Sequence, residues 1–152
     1  MKIQQETLYG VFEEIEELIK LHYDEVALHK DFMKLDPDWP RYHALEQSEK
    51  LIMFTIRDED KLIGYSAFFI DQHLHYKGSK IAINDVVFLH PDYRNISVGS
   101  ALIKFCDEEL SKMGETKITW HVKFSNDFRH ILKALGYVDE EIVCGKIAGV
   151  KH

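Results

Sequence analysis

Cysteine is scarce in this 152-residue chain: there are two, Cys106 and Cys144, both inside apolar stretches and neither in a metal-ligand spacing. A domain of this length hides roughly two-thirds of its unfolded surface, so it needs neither a disulfide framework nor a structural metal to fold. The two thiols read as reduced core residues of a cytoplasmic protein. Long apolar runs are missing too. The opening Met1-Lys2-Ile3-Gln4-Gln5-Glu6 has nothing of a signal peptide. No later segment reaches the roughly 20 apolar residues that cross a bilayer, so no membrane association is expected. Basic residues number 19 against 26 acidic, a net charge of −7, and no Lys/Arg cluster stands out. Phosphate contacts dominate nucleic-acid affinity, so no nucleic-acid partner is expected. The acidic balance suits a cationic ligand such as an amine, although net charge is a weak guide to a local site. Internal repeats and low-complexity segments are absent. What remains, 45% hydrophobic and 30% charged, is the balance of one ordinary globular domain over 1–152.

Hydrophobic periodicity divides that domain. Phe12, Ile15, Leu18, Ile19, His22, Tyr23 and Val26 recur at helical spacing, with Glu13, Glu14, Glu16 and Glu17 mainly opposite, which predicts an amphipathic helix over about 8–28. Pro37 and Pro40 should interrupt regular structure over 36–40, with a short helix following over 41–49. The period then becomes that of strands. Residues 51–57 and 61–71 flank the Asp58-Glu59-Asp60 turn as an antiparallel hairpin. Residues 81–89, apolar on both faces, read as a central strand that Pro91 and Asp92 end. Next come a helix over 98–113, a strand over 116–122, a helix carrying Phe128, Ile131, Leu132 and Leu135 that closes at Gly136, and one or two final strands in 138–148. The order is that of a mixed α/β (α+β) domain.

The most informative segment runs Val87-Phe88-Leu89-His90-Pro91-Asp92-Tyr93-Arg94-Asn95-Ile96-Ser97-Val98-Gly99-Ser100-Ala101-Leu102. A buried strand stops at a proline, a tight polar loop follows, and a helix begins. The first turn of a helix has backbone N–H groups without internal partners and a partial positive charge, which suits phosphate. Gly99 lets a ligand approach the backbone, and Arg94 can meet phosphate oxygens. From spacing alone the segment is equally a strand-to-helix connection that binds nothing, because it holds a single glycine.

The segment resembles the acetyl-CoA signature of the GNAT superfamily of N-acetyltransferases: an apolar strand, Pro-x-Tyr-Arg, then Arg/Gln-x-x-Gly-x-Gly/Ala opening a helix. Arg94 takes the first place and Gly99 the last, while Ser97 stands where the first glycine is usual. Leu62-Ile63-Gly64-Tyr65-Ser66-Ala67-Phe68-Phe69 is similar to the family's third strand, and Leu135-Gly136-Tyr137 to the end of its last helix. The resemblance implies a mostly antiparallel sheet of six or seven strands flanked by about four helices. It also implies transfer of acetyl from acetyl-CoA, a cosubstrate, to a primary amine of a small molecule or peptide, without a metal. The backbone of Val87, Phe88 and Leu89 would meet the pantetheine arm between two splayed strands, with the Leu89 N–H polarising the thioester carbonyl. The stretch Arg94, Asn95, Ile96, Ser97, Val98, Gly99 and Ser100 would hold the pyrophosphate.

Asp85 is the first candidate for general base. In strand alternation it shares a face with Ile81, Ile83, Val87 and Leu89, a carboxylate in an apolar row whose burial raises its pKa. It could instead pair with a cation or sit in a backbone bulge. His121, on the next strand, is the second candidate, with a purely structural role as the alternative. Asn126 either contacts the cofactor or caps the last helix. Phe32, Trp39 and Tyr42 are candidates for the acceptor pocket, or simply pack. His73 and His75 form a His-x-His without an evident third ligand. By alignment from Gly136, Leu132 occupies the place of a tyrosine that serves the family as general acid; a thiol of pKa about 8.5 leaves readily without one. Ser97 and Leu132 also suit a non-catalytic domain of this fold that binds CoA or a protein partner, and a homodimer is a further expectation.

Overall fold

The apolar residues between Leu51 and Leu89 build the middle of one sheet, and the helices are hung on its two faces. A computed structural model of the chain describes residues 1–114 and 117–151, with Val26 described by its backbone alone. Strands β1 (Lys2–Gln5), β2 (Leu51–Asp58), β3 (Lys61–Gln72), β4 (Lys80–Leu89) and β5 (Lys117–Thr119) lie side by side in that order. The first four pair antiparallel; β4 and β5 pair parallel, joined through helix α3 (Ile96–Lys112). Helices α1 (Phe12–Val26) and α2 (Trp39–Gln47) precede β2, and α4 (Arg129–Ala134) follows β5.

Two cores flank the sheet. On one face Ile15 and Leu18 of α1 pack with Leu51, Met53, Tyr65 and Phe88, with Trp39 and Tyr42 of α2 at the margin. On the other, Leu102, Cys106 and Leu110 of α3 pack with Phe54, Ile63, Phe68 and Ala82. Each fully buried large apolar side chain contributes roughly 1.5–3 kcal/mol. Among the described residues, no helix is long and apolar enough to cross a membrane.

Among the described residues the sheet has five strands, not six or seven. Residues 138–148, expected to supply the last strands, form none, and Ile142 and Val143 are exposed there. Cys144 is consequently exposed and not a core residue, whereas Cys106 is fully buried. Conversely β1 was not expected: it is a four-residue edge strand in which only Ile3 packs, too short and polar to show alternation. Helix α1 is shorter than the expected 8–28 and coincides with the apolar stripe from Phe12 to Val26, with a 3₁₀ turn at Tyr9–Val11 before it. The Pro40 position opens α2 and does not interrupt it, because proline is tolerated in a first turn and the Asp38 side chain caps the Arg41 N–H at 3.1 Å. Helix α3 begins two residues earlier than expected, so Ser97 lies inside its first turn. The start expected for the fifth strand, Thr116, lies outside the described residues, as does the Val26 side chain.

At Gly64 a side chain on β3 would collide with both β2 and β4. A Cβ there would sit 2.6 Å from the Phe88 carbonyl oxygen and 2.9 Å from Ile56 Cγ2. The first of these is backbone and cannot swing aside. Gly64→Ala is expected to cost about 1–3 kcal/mol, which lowers Tm by about 2–4 °C per kcal/mol in a domain of this size. Thermal denaturation followed by circular dichroism reads this directly; an unchanged Tm would mean that β3 and β4 separate freely at this point.

Candidate active site

Strand β4 outlasts its neighbour. Among the described residues, parallel pairing with β5 covers only Ile81, Ala82 and Ile83, against Lys117, Ile118 and Thr119. From Asn84 onward β4 is paired only with β3, and residues 120–123 leave the ladder. The parting opens a cavity of about 310 Å³ lined by β4 from Asn84 to Val87, by His121, Lys123, Asn126 and Phe128, and by Ile19, His22 and Tyr23 of α1. The His90 N–H donates to the Ile63 carbonyl at 2.7 Å, on the β3 side. Alternate N–H groups of a strand point in opposite directions, so those of Leu89 and Val87 face away from β3, toward the gap. Phe88 turns the other way: its backbone meets Gly64 and its ring is buried in the α1-side core.

Asp85 sits in a β-bulge. Ala67 pairs with Val86 and Phe68 with Asn84, leaving Asp85 without a partner on β3. The extra residue resets the alternation. Val86 and Phe88 join the α1-side core, while Val87 and Leu89 join the α3-side core, so Asp85 does not share one face with Val87 and Leu89 as strict alternation implied. The Asp85 carboxylate accepts a hydrogen bond from the Tyr42 hydroxyl at 3.0 Å. Burial holds the Asp85 carboxyl above its ordinary range, while the Tyr42 hydrogen bond and the charge of His121 pull it back down. Burial and the neighbouring carboxylate together push the Tyr42 hydroxyl upward.

Asn84, which the sequence did not single out, organises this bulge. It is 2% exposed, and its amide nitrogen lies 3.2 Å from Ser66 Oγ, 3.3 Å from the Ala67 carbonyl and 3.0 Å from the Val86 carbonyl. His22 belongs to the α1 stripe. It is buried, with Nδ1 at 3.1 Å from the Tyr65 hydroxyl and its ring stacked on Phe88 at 5.0 Å.

At the expected anion site, Asn95 is the helix N-cap: its side chain accepts from the Val98 N–H at 3.0 Å, and the Gly99 N–H bonds the Asn95 carbonyl at 3.1 Å. The N–H groups of Ile96 and Ser97 precede that first helical bond and are the donors left for a ligand. A Cβ at Gly99 would meet only Ile131 Cδ1 at 3.8 Å, so internal crowding does not demand glycine there. Ser100 follows in the same turn. The Arg94 guanidinium is engaged: Nε donates to the Leu89 carbonyl at 2.7 Å, and the two terminal nitrogens form a two-pronged pair with Glu25 of α1, Nη2 to Oε2 at 2.6 Å. That pair holds the Glu25 carboxyl below its ordinary range.

Asp85, Val87, His121 and Asn126 thus line one cavity, with Tyr42 bonded into it. Asn126 lies in a 3₁₀ turn, Phe124–Asn126, and is not the cap of α4, which starts after Phe128. Trp39 packs edge-on against Phe12 at 5.0 Å. Phe32 is exposed on the loop after α1 and is not brought into the cavity. A second cavity of about 540 Å³ lies beyond Tyr42, lined also by Asp38, Arg41, Leu45, Lys50, Phe69 and Asp71. Leu132 is buried, and the Tyr137 hydroxyl is committed to Asp107 at 2.7 Å.

Burial, reinforced by the positive charges of Lys123 and Arg94, lowers the His22 pKa to about 4. The unfolded chain therefore binds a proton at this residue between pH 6.5 and 4 that the folded protein refuses. Stability is full above the unfolded value and falls with pH through that window, by on the order of 3 kcal/mol at its acid end. Urea titrations across the window should show this slope, reduced by nearly one proton in His22→Gln; an identical slope in the variant would rule out His22 as its source.

The chain matches the acetyltransferase (GNAT) family model over residues 12–137. No curated protein matches it in sequence. Solved structures with the same fold include an aminoglycoside acetyltransferase from an uncultured soil metagenomic sample, in complex with trehalose or with sisomicin, at 14% identity and TM-score 0.73, covering 99% of this chain and 96% of the other. The ribosomal-protein-alanine N-acetyltransferase of Brucella melitensis biovar Abortus 2308 is 16% identical with TM-score 0.70, covering 96% of each chain. A predicted acetyltransferase of Clostridium acetobutylicum with acetyl-CoA is 10% identical with TM-score 0.68, covering 96% of this chain and 95% of that one. With the family model spanning the helix pair, the parted strands and the turn into α3, the chain belongs to the acetyltransferase (GNAT) family.

Proposed function

We propose that this is a cytoplasmic enzyme that moves an acetyl group from acetyl-CoA to a primary amine by direct attack, with no covalent enzyme intermediate. The observation that carries this reading is the parting of β4 from β5 with two backbone N–H groups facing the gap and a raised carboxylate at its floor. The residues present suit the cosubstrate. Val87 and Leu89 offer backbone bonds to an extended amide-bearing arm, and Ile96 and Ser97 offer N–H groups to a pyrophosphate at the start of a 17-residue helix. Asp85 takes the proton of the attacking amine, directly or through a water, and His121 beside it is the second candidate. The Leu89 N–H faces the place where a thioester carbonyl would gain negative charge. Asn126 lines the cavity as a further polar contact.

The acceptor is proposed to enter past Tyr42, where the second cavity, lined by Asp38 and Asp71 and equally by Arg41 and Lys50, would take the rest of an amine-bearing small molecule or peptide. One observation favours the alternative of a non-catalytic, CoA- or partner-binding domain: Arg94 already spends its guanidinium on Glu25. Thiol release measured across polyamines, aminoglycosides, amino acids and peptides separates the two.

Three outcomes are expected. Asp85→Asn lowers kcat by about 10²–10⁴-fold with acetyl-CoA affinity retained; unchanged turnover would remove Asp85 as base. Tyr42→Phe removes the hydrogen bond that lowers the Asp85 pKa, so the acid limb of kcat/KM, where activity is lost as Asp85 protonates, moves to higher pH. A limb that stays put or moves down contradicts this assignment. In calorimetric titrations Arg94→Ala weakens acetyl-CoA binding and Glu25→Gln tightens it, each on the order of tenfold. No binding by the wild type at millimolar cofactor would exclude the acetyltransferase reading and leave only a non-catalytic, partner-binding domain.

A further inference from the structure

The charged groups of the second cavity are not equally engaged. As the cap of α2, Asp38 accepts from the Arg41 backbone N–H at 3.1 Å, and Asp71 accepts from the Gln72 N–H at 2.8 Å. The Arg41 guanidinium and the Lys50 ammonium also line the cavity, and among the described residues neither makes a hydrogen bond or an ion pair. The charge left for a ligand is therefore positive. Leu45, Phe69 and Ile70 supply an apolar wall, with the Phe69 ring stacked on Tyr42 at 6.4 Å. Tyr42 joins this cavity to the first one, because its hydroxyl donates to Asp85. Asp85 thus stands at one end and the two cations at the other.

Strand pairing sets the distance between those ends. The Lys50 carbonyl accepts from the Ile70 N–H at 2.9 Å, and Ile70 lies opposite Ala82 of β4, three residues before Asp85. With strands about 4.8 Å apart and a rise of about 3.3 Å per residue, the Lys50 and Asp85 backbones are roughly 14 Å apart. Side chains stand roughly perpendicular to a sheet. After a hydrogen bond of about 2.9 Å at each end, a ligand joining the two groups is roughly 8 Å long. One amino acid spans about 3.5 Å and falls short; two or three extended residues fit.

We infer that the acceptor carries a carboxylate as well as its amine, at opposite ends of an extended chain of that length: a dipeptide or tripeptide, or an ω-amino acid. The inference rests on the proposed acetyl transfer with Asp85 as base. The neutral amine nitrogen bonds to the acetyl carbonyl carbon and gives a proton to Asp85. The carbon–sulfur bond of the thioester breaks, and the sulfur leaves with the electron pair. Arg41 and Lys50 hold the carboxylate and so select the acceptor without touching the reacting atoms, while the apolar wall faces the middle of the chain.

Thiol release is compared for alanyl-leucyl-alanine, its C-terminal amide and ω-aminoheptanoate, with acetyl-CoA saturating. Corrected for the neutral fraction of each amine, kcat/KM of the free peptide acid should exceed that of the amide by about tenfold. Concentrated salt should bring the ratio toward one, because both cations are exposed. Arg41→Gln/Lys50→Gln should do the same at low salt. Whichever of the peptide and the aminoheptanoate turns over faster names the source of the carboxylate. An amide as good as the acid, or a ratio indifferent to the double substitution, would overturn this inference, and turnover of spermidine in the same assay would leave acetyl transfer itself standing. Thiol release with none of these amines would overturn both.

Discussion

One side-chain amide holds the shape of this site. Asn84 is buried where a polar group without partners would cost about 1–3 kcal/mol, and it finds its partners across an irregularity of its own strand: Ser66 and Ala67 on β3, Val86 beyond the bulge. The amide thus spans the bulge, bonding on both sides of the unpaired Asp85. The extra residue sends Asp85 toward Tyr42 on the α2 side and returns Val87 and Leu89 to the α3 side. The added local twist falls at the level where β5 stops pairing.

The two ends of the gap are tied through α1. Phe88 lies beneath His22, which stacks on it, and Arg94 lies over the same ring at 5.4 Å. Arg94 reaches on to Glu25, three residues past His22 on the same helix. The turn into α3 is therefore fastened to the C-terminal half of α1 by a ring stack and an ion pair. Any anion that recruits Arg94 has to compete with Glu25, and α1 also lines the cavity. The cost of that competition is moderated by exposure, since the pair is about one-third solvent-accessible and screened by salt.

How far the sequence disclosed this depends on the range of the forces involved. The hairpin of β2 and β3, the two-sided burial of β4, the α3 stripe and the Gly136 stop all rest on contacts within a few residues or on a backbone φ of +96° that favours glycine, and each was legible. The gap itself could be expected only through family resemblance, because nothing within 81–89 announces that β5 will end at Thr119. The bulge was beyond reach for a plainer reason. Alternation is a local rule, and the interaction that breaks it couples Asn84 to Ser66 and Ala67, 18 and 17 residues away. His22 looked like any other residue of an amphipathic stripe; only its contact with Tyr65, 43 positions on, distinguishes it. Residues 138–148 read as strands because their composition is right, but a strand needs a partner, and composition does not say where the partner is.

The neutral state of His22 bears on the chemistry of Asp85. At ordinary pH the histidine adds no positive charge to the cavity, so it does not help ionise the carboxylate. Burial alone would keep Asp85 protonated further up the pH scale. The opposing influences are His121 from the β5 side and Tyr42 from α2. Tyr42 is the adjustable one, because it stands on a nine-residue helix whose start is fixed by Asp38 and Pro40 and whose other flank faces the second cavity. Whatever fills that cavity presses on the same tyrosine that donates to Asp85. The ionisation of the proposed base and the occupancy of the proposed acceptor site are thus linked through one hydroxyl, with α2 as the element that carries the coupling.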